Sequence, residues 1–134
     1  MKRLIALLMV LMFALCGCGK SQEEKNIEIL TQAPWYSLDR VQTMPMDDSW
    51  QIVIDNYCLN LYDDGSYHIE YTKTNTGSPF GDGAEQESYT GSWSIEGNII
   101  TIYHPLGNME KHTLGDDGVL YGPKSEGYTY IQNP

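Results

Sequence analysis

Paired carboxylates are the most frequent chemistry-bearing groups in this 134-residue chain. They occur at Asp47–Asp48, Asp63–Asp64 and Asp116–Asp117, and as Glu85 with Glu87. Such pairs can serve as the acid and base of a glycosidase or as ligands of calcium. Two of the pairs, however, precede a glycine between apolar segments, where aspartate accepts backbone hydrogen bonds and tolerates turn geometry. No segment has the ligand spacing of an EF-hand loop, so the sequence predicts turn residues rather than a catalytic or calcium site.

Other catalytic and metal-binding patterns are also missing from the sequence. His68, His104 and His112 have none of the HxH, HxxxH or HExxH spacings that bring two imidazoles onto one metal. No Gly-x-Ser-x-Gly sequence marks a nucleophile, and GDGAEQ falls short of a dinucleotide-binding fingerprint. Cys58 lies in an aromatic-rich segment and is interpreted as a small packed hydrophobe rather than a reactive thiol. We therefore expect a protein that is not an enzyme and that binds no metal and no cofactor.

The N-terminus has the three-part pattern of a secretory signal. Lys2 and Arg3 precede an unbroken apolar run over residues 4–15, and small residues follow it. As a helix this run would be about 18 Å long. The hydrocarbon core of a bilayer is about 30 Å thick. The sequence therefore predicts a cleaved signal rather than a permanent transmembrane helix.

The end of the apolar run contains two cysteines. Leu15-Cys16-Gly17-Cys18 resembles the bacterial lipobox, with an aliphatic residue three places and a small residue one place before the acceptor cysteine. The resemblance implies that Cys18 becomes the lipid-modified first residue of the mature chain, with acyl chains such as palmitate, while Cys16 leaves with the signal. The protein would then be lipid-anchored on the extracytoplasmic face of the cell membrane. Gly19 would fit sorting to an outer membrane in a cell that has one. The alternative is a plain secretory signal in which both cysteines are incidental.

The chain is strongly acidic. Eighteen acidic residues oppose eight Lys and Arg residues, for a formal net charge of −10 at pH 7, and two of the basic residues lie in the signal. Such a chain repels phosphates, which argues against nucleic acid and anionic headgroups as main partners and favours cationic ones. With Cys18 blocked by lipid, Cys58 has no partner left for an intramolecular disulfide. The domain must therefore be held together by its core.

Apolar and polar residues alternate with a period of two after the signal, which is typical of strands. YCLNLY and SYHIEY flank an Asp-Asp-Gly turn, and YTGSWSIE and IITIYH flank Gly97-Asn98, so the sequence predicts two β-hairpins. SWQIVID is predicted to continue into YCLNLY through a kink at Asp55–Asn56. WYSLDRV is predicted to be a first strand, with a short helix as the alternative. Strands in MEKHTL, VLY and YTYIQ bring the expected total to seven or eight.

This strand pattern predicts an all-β domain, either a barrel or a sandwich. LNLYDDGSYHIEY followed by GSWSIEGNIITIY also resembles the hairpin signature of small bacterial lipocalin-like domains, over about residues 50–132. The resemblance implies a seven- to eight-stranded antiparallel up-and-down barrel. It transfers no ligand, since lipocalins carry Gly-x-Trp on the first strand and Gly91-Ser92-Trp93 lies mid-domain here. We divide the chain into a signal peptide (1–17), a flexible tether (18–28) and a lipocalin-like β domain (29–134).

Aromatic side chains are the candidate ligand contacts. The candidates are Tyr67, Tyr71, Phe80, Trp93 and Tyr103. Four of them lie on predicted strands and suit either a cavity lining or a core. Phe80 belongs to a long loop predicted over residues 73–88 and is interpreted as a lid or as a residue folded back on the domain edge. The sequence favours a binding module for a small apolar ligand or an envelope partner. The alternative is an acidic interaction or inhibitor lipoprotein that captures a cationic envelope protein or peptide.

Overall fold

The computed structural model describes residues 19–37, 40–44, 47–123 and 128–132. The predicted signal peptide and the predicted lipidation site Cys18 lie outside these ranges. Within them, no helix has the length and apolar character needed to cross a membrane.

The described ranges contain one helix and nine strands. The helix α1 spans Gln22–Thr31. The strands are β1 (Trp35–Ser37), β2 (Arg40–Met44), β3 (Asp47–Leu61), β4 (Ser66–Thr76), β5 (Gly83–Glu96), β6 (Ile99–Tyr103), β7 (Met109–Leu114), β8 (Leu120–Tyr121) and β9 (Thr129–Gln132).

Eight of these strands form a closed antiparallel barrel. Strands β3 to β9 each pair with the next strand along the chain, and β1 pairs with both β9 and β3, which closes the ring. Strand β2 pairs with the first half of β3, beyond the ring. The predicted all-β antiparallel barrel of seven or eight strands is therefore confirmed, with one short helix added to it.

The predicted hairpin turns form at their predicted places. Gly65 and Gly97 have φ angles of 83° and 65°, in the left-handed region that glycine enters at least cost. Asp64 accepts hydrogen bonds from the amide and hydroxyl of Ser66, at 2.9 and 2.6 Å, and these bonds lower the pKa of its carboxyl. Asp117 likewise accepts a bond of 3.1 Å from a backbone amide two residues on. These aspartates are turn residues, as predicted.

Strand β3 carries the predicted kink. Between Asp55 and Cys58 it has one residue more than the facing segment of β4, which makes a β-bulge. Asn56 has a φ of 52°, and asparagine enters this left-handed region more readily than most residues. The extra residue shifts the alternation, so that both Ile54 and Tyr57 pack against the core.

The barrel interior is apolar and aromatic. The buried cluster consists of Leu30, Trp35, Tyr57, Leu59, Leu61, Tyr67, Ile69, Trp93, Ile100, Ile102, Leu114, Leu120 and Tyr130. Most of these residues occupy alternate positions of the ring strands, as a pleated strand with one inward face requires.

Helix α1 closes one end of the barrel, which we call the closed end. Leu30 is fully buried there, and its carbonyl accepts a 2.9 Å bond from the Trp35 indole. The buried Asn26 side chain donates a 2.9 Å bond to the carbonyl of Gly97, in the β5–β6 turn. The opposite end, with the β4–β5 and β6–β7 turns, is called the open end.

The structure differs here from the flexible tether predicted over residues 18–28. The helix begins at Gln22, and a reciprocal capping box between Ser21 and Glu24 satisfies orphan amides of its first turn. Only Asn26 and Leu30 are buried, so the helix has no long apolar stripe and hydrophobic periodicity does not reveal it.

The loop predicted over residues 73–88 is also different. Most of it is strand, because β4 runs to Thr76 and β5 begins at Gly83, leaving a connection of residues 77–82. These parts of β4 and β5 are mostly polar and extend beyond the closed ring. Their backbones pair with each other, and this pairing does not require alternating apolar side chains.

Candidate functional site: a cavity at the open end of the barrel

Unequal strand lengths leave a gap at the open end. The last β5–β6 pair joins Ser92 to Tyr103, after which the chain turns back into β7. Strand β5 begins nine residues earlier, at Gly83, and among the described residues this upper part pairs only with β4. The inner face of the long β4–β5 hairpin is therefore not covered by β6.

A cavity of about 470 Å³, partly open to solvent, fills this gap. Its lining residues are Tyr71, Glu87, Tyr89, His104, Pro105, Leu106, Asn108 and Glu110. They come from the inner faces of β4, β5 and β7 and from the β6–β7 turn. Its volume lies within the usual range of small-molecule sites. We call it the mouth cavity.

Two tyrosines form an aromatic wall of the mouth cavity. The rings of Tyr71 and Tyr89 have centroids 6.3 Å apart and planes at 82°, an edge-to-face pair. Tyr57 stacks on Tyr71 with centroids 5.8 Å apart and an interplanar angle of 14°. The wall is therefore continuous with the aromatic core and is supported from below.

Tyr67 and Gly91 support the cavity from behind. Tyr67 packs edge-to-face on both Tyr89 and His104, at 6.4 and 6.2 Å, and its hydroxyl donates a 3.1 Å bond to the carbonyl of Tyr103. It lies directly over Gly91, its partner across β4 and β5. A Cβ at Gly91 would be 2.7 Å from the Tyr67 ring, so only glycine leaves room for this ring position.

Glu87 places a negative charge at the cavity wall. Its Oε2 accepts a 2.6 Å bond from the Tyr71 hydroxyl, and its Oε1 lies 3.5 Å from the Lys73 ammonium. The Tyr71 bond lowers the pKa of the Glu87 carboxyl, with a smaller contribution from Lys73, so the group is a carboxylate at neutral pH.

Glu110 brings a second carboxylate to the cavity, next to two imidazoles. Its Oε1 lies 3.3 Å from His104 Nε2, and its Oε2 lies 4.0 Å from His112 Nε2. His112 is 1% exposed and belongs to the barrel interior, where its ring contacts Tyr130 at 5.3 Å. Among the described residues, no group of three or more His, Cys, Asp or Glu side chains is arranged to hold a metal ion.

The predicted ligand contacts do not gather in one place. Tyr71 lines the mouth cavity, and Tyr67 lies behind it. Trp93 is buried in the core, where its indole donates a 2.9 Å bond to the carbonyl of Tyr62. Tyr103 is on the outer face and is 39% exposed. Phe80 is at the tip of the β4–β5 hairpin.

Of the eight lining residues, the sequence indicates only Tyr71 as a ligand contact. The missed residues with ionisable side chains are Tyr89, Glu87, His104 and Glu110. A signal for two of them was present. Glu87 is in phase with the inward Tyr89 and Trp93, and Glu110 is in phase with the inward His112 and Leu114. A carboxylate at an inward position of a barrel strand marks a polar or wet part of the interior.

Cys58 lies apart from the cavity. It is a free, buried cysteine, and burial raises the pKa of its thiol above the ordinary value. A thiol held in its protonated form is a weak nucleophile, which agrees with the interpretation as a packed side chain.

Fold and site together define a small antiparallel β-barrel with one end closed by a helix and an acidic, aromatic-walled cavity at the other. Comparison with known protein families, with curated proteins and with solved structures finds no significant match to this chain.

The tyrosines of the cavity wall predict a loss of stability at alkaline pH. Burial raises the pKa of Tyr89 to about 12 and, together with the Glu87 bond, raises the pKa of Tyr71 above its ordinary value. Above pH 10 the unfolded phenols ionise before the folded ones, so the unfolded state binds fewer protons and the free energy of unfolding falls as pH rises towards about 12.

Ultraviolet phenolate titration combined with urea unfolding at each pH tests this expectation. The double variant Tyr71→Phe/Tyr89→Phe is expected to lose the late-titrating phenols and to show a weaker pH dependence of stability. Ionisation of every tyrosine near its ordinary pKa, with no change in stability, would contradict the assignment.

Phe80 is expected to contribute little to stability. Its side chain is 90% exposed and meets the Trp50 ring edge-on, with centroids 6.2 Å apart. Phe80→Ala should change the free energy of unfolding by less than about 1 kcal/mol, as exposed substitutions usually do. Thermal unfolding of the two proteins measures the difference, and a much larger loss would show that Phe80 packs into the core in solution.

Proposed function

We propose that this chain is a lipid-anchored, extracytoplasmic binding module with a lipocalin-like barrel, which holds a small molecule in the mouth cavity. Lipid on Cys18 would attach it to the outer face of the cell membrane, or to an outer membrane where there is one. The observation that carries the proposal is the mouth cavity itself, whose lining joins the aromatic wall of the barrel to two carboxylates.

The distribution of packing supports this proposal. Barrels of about eight strands either fill their interior with side chains or leave room for one small ligand. Here the interior near α1 is filled, because Leu30, Trp35 and Leu59 are fully buried. The mouth cavity of about 470 Å³ lies at the open end. A second groove, of about 480 Å³, lies outside the closed end, between α1 and the turns that follow β5 and β7. An eight-stranded barrel of this kind suits one small ligand with an apolar part.

The position of the helix supports the proposed anchoring geometry. Helix α1 begins at Gln22, four residues after Cys18, and a chain of four residues reaches at most about 14 Å. A lipid on Cys18 would therefore hold the closed end of the barrel near the membrane surface. The mouth cavity, at the opposite end, would open away from the membrane.

The anchor is tested by metabolic labelling of the full chain with a radiolabelled fatty acid, followed by mass spectrometry of the mature N-terminus. The wild type is expected to incorporate label and to begin at a modified Cys18, and Cys18→Ala to incorporate none. Cys16→Ala is the matched control, and its labelling should equal that of the wild type. An unlabelled wild type, or loss of label in the control alone, would rule out the proposed anchor.

Ligand binding is tested by native mass spectrometry of the full chain in a non-ionic detergent, after incubation with an envelope extract. The wild type should retain a small molecule at high salt, and Asn108→Trp, which fills the cavity, should lose it. Thr90→Trp is the control, since Thr90 is exposed and alternates with the inward residues of β5. A wild type without bound mass would argue against the binding function. Salt-sensitive capture of a cationic protein would support the acidic interaction protein instead.

A further inference from the structure

We infer that the ligand of the mouth cavity carries a compact cationic group, a quaternary ammonium, which the cavity holds between its tyrosine wall and its carboxylates. This inference rests on the proposed binding function and assigns the chemical class of the ligand.

The charges that line the cavity favour a cation. Its lining contains two carboxylates, Glu87 and Glu110, and neither lysine nor arginine. The Lys73 ammonium approaches Glu87 at 3.5 Å but does not line the cavity. Placing carboxylates in a partly desolvated cavity costs free energy that a bound cation offsets.

Both carboxylates keep hydrogen-bonding capacity. A carboxylate has about four acceptor sites. Glu87 uses one for the Tyr71 hydroxyl, at 2.6 Å, and its contact with Lys73 is at the limit of hydrogen-bonding distance. Glu110 lies 3.3 Å from His104 Nε2, but this nitrogen has no hydrogen-bond partner of acceptable geometry. A bound ammonium can therefore interact with either group without breaking the Tyr71 bond.

The tyrosine wall brings two aromatic rings to the cavity lining. The rings of Tyr71 and Tyr89 stand at 82° to each other and form two sides of a corner. A cation within about 6 Å of an aromatic centroid is attracted by the negative face of the ring. Both phenols are neutral at physiological pH, because the ordinary pKa of tyrosine is about 10 and burial raises the pKa of both further.

The field of the whole chain acts in the same direction. A formal net charge of −10 concentrates cations near the surface and repels anions from the cavity. Tyrosine walls alone would accept a neutral aromatic ligand, so the two carboxylates are the feature that decides between the classes.

The experiment compares two probes of equal size that differ in charge. Choline and 3,3-dimethylbutan-1-ol have the same shape, with carbon replacing the ammonium nitrogen in the second. Binding of each to the full chain in a non-ionic detergent is measured by isothermal titration and by saturation-transfer NMR. The wild type is expected to bind choline at least about tenfold more tightly than the neutral probe.

The double variant Glu87→Gln/Glu110→Gln identifies the groups responsible. Glutamine keeps the size and one acceptor, and the variant is expected to lose choline affinity by about tenfold or more while neutral-probe binding changes less than about twofold. Glu70→Gln/Glu96→Gln removes the same charge away from the cavity lining and is expected to keep wild-type affinity within about twofold.

Each other outcome overturns the inference. If the wild type binds the two probes equally, charge does not select the ligand, and the proposed binding function is unaffected. This comparison needs no variant. An equal loss in both double variants would assign the preference to net charge rather than to the cavity. Absence of binding by both probes would reject the quaternary ammonium class, while the envelope-extract experiment would still report separately on the binding function.

Discussion

Trp35→Ala is expected to lower the free energy of unfolding by about 3–5 kcal/mol. The side chain is fully buried and joins three parts of the molecule. Its strand closes the ring by pairing with both β9 and β3, and its indole donates to the carbonyl of Leu30 at the end of α1. Removing it leaves a large cavity and an orphaned helix carbonyl at the same place.

A loss of this size is a large part of the total stability of a small domain, which is about 5–15 kcal/mol. Urea unfolding measures it. Trp35→Phe retains most of the volume and loses the hydrogen bond, so its cost should be smaller. Trp50→Ala is the matched control: Trp50 is only half-buried and packs on the exposed Phe80, so the expected loss is about 1 kcal/mol. Equal losses at the two positions would show that Trp35 does not couple the helix to the barrel.

Much of the barrel is predictable because its signals are local. Gly65 and Gly97 lie between segments in which apolar and polar residues alternate. Two such segments joined by a glycine-containing turn strongly favour a β-hairpin. The kink at Asn56 is visible for the same reason, since the apolar phase of β3 changes there. Closure of the ring by β1 depends on pairing between distant segments, which local patterns do not specify.

Helix α1 shows where the argument from periodicity fails. The helix buries only Asn26 and Leu30, so no apolar stripe marks it. Its sequence signal is the capping box of Ser21 and Glu24, a serine followed three residues later by a glutamate. Its position is decided by tertiary contacts, among them the bond from Asn26 to Gly97, seventy-one residues away.

The candidate site follows from a difference in strand length rather than from a motif. The sequence indicates Tyr71 as a candidate and predicts that two of the acidic pairs are turn residues, which is correct for Asp64 and Asp117. The sequence predicts a long loop around Glu87, but this residue is in β5 and faces the cavity. The gap that exposes Glu87 exists because β6 has five residues and β5 has fourteen. No composition or spacing rule reports such a mismatch.

Closed and open ends have different physical roles. Near α1, apolar packing and buried hydrogen bonds dominate. At the open end, charged and phenolic side chains take the place of aliphatic ones and form a polar surface inside the barrel. Tyr67 joins the two regions, because it is buried in the core and also supports Tyr89 and His104.

Gly91→Ala is therefore expected to affect both stability and the cavity. The new Cβ would be 2.6 Å from the carbonyl oxygen of Tyr103 and 2.7 Å from the ring and hydroxyl of Tyr67. Such overpacking costs about 1–3 kcal/mol. A displaced Tyr67 also loses its bond to that carbonyl, worth about 1 kcal/mol. The expected total is about 2–4 kcal/mol, accompanied by a changed near-ultraviolet circular dichroism spectrum.

Gly83→Ala provides the control on the same strand, because a Cβ at Gly83 has no atom within 4 Å. Its effect should lie between neutral and about 1 kcal/mol of stabilisation, from the reduced entropy of the unfolded chain. In a Tyr67→Leu background the cost of Gly91→Ala should shrink, since the ring contact is gone and only the clash with the Tyr103 carbonyl remains. If Gly91→Ala lowers the free energy of unfolding equally in both backgrounds, the clash is with the Tyr103 carbonyl alone. Gly91 would then not be required for the position of the Tyr67 ring.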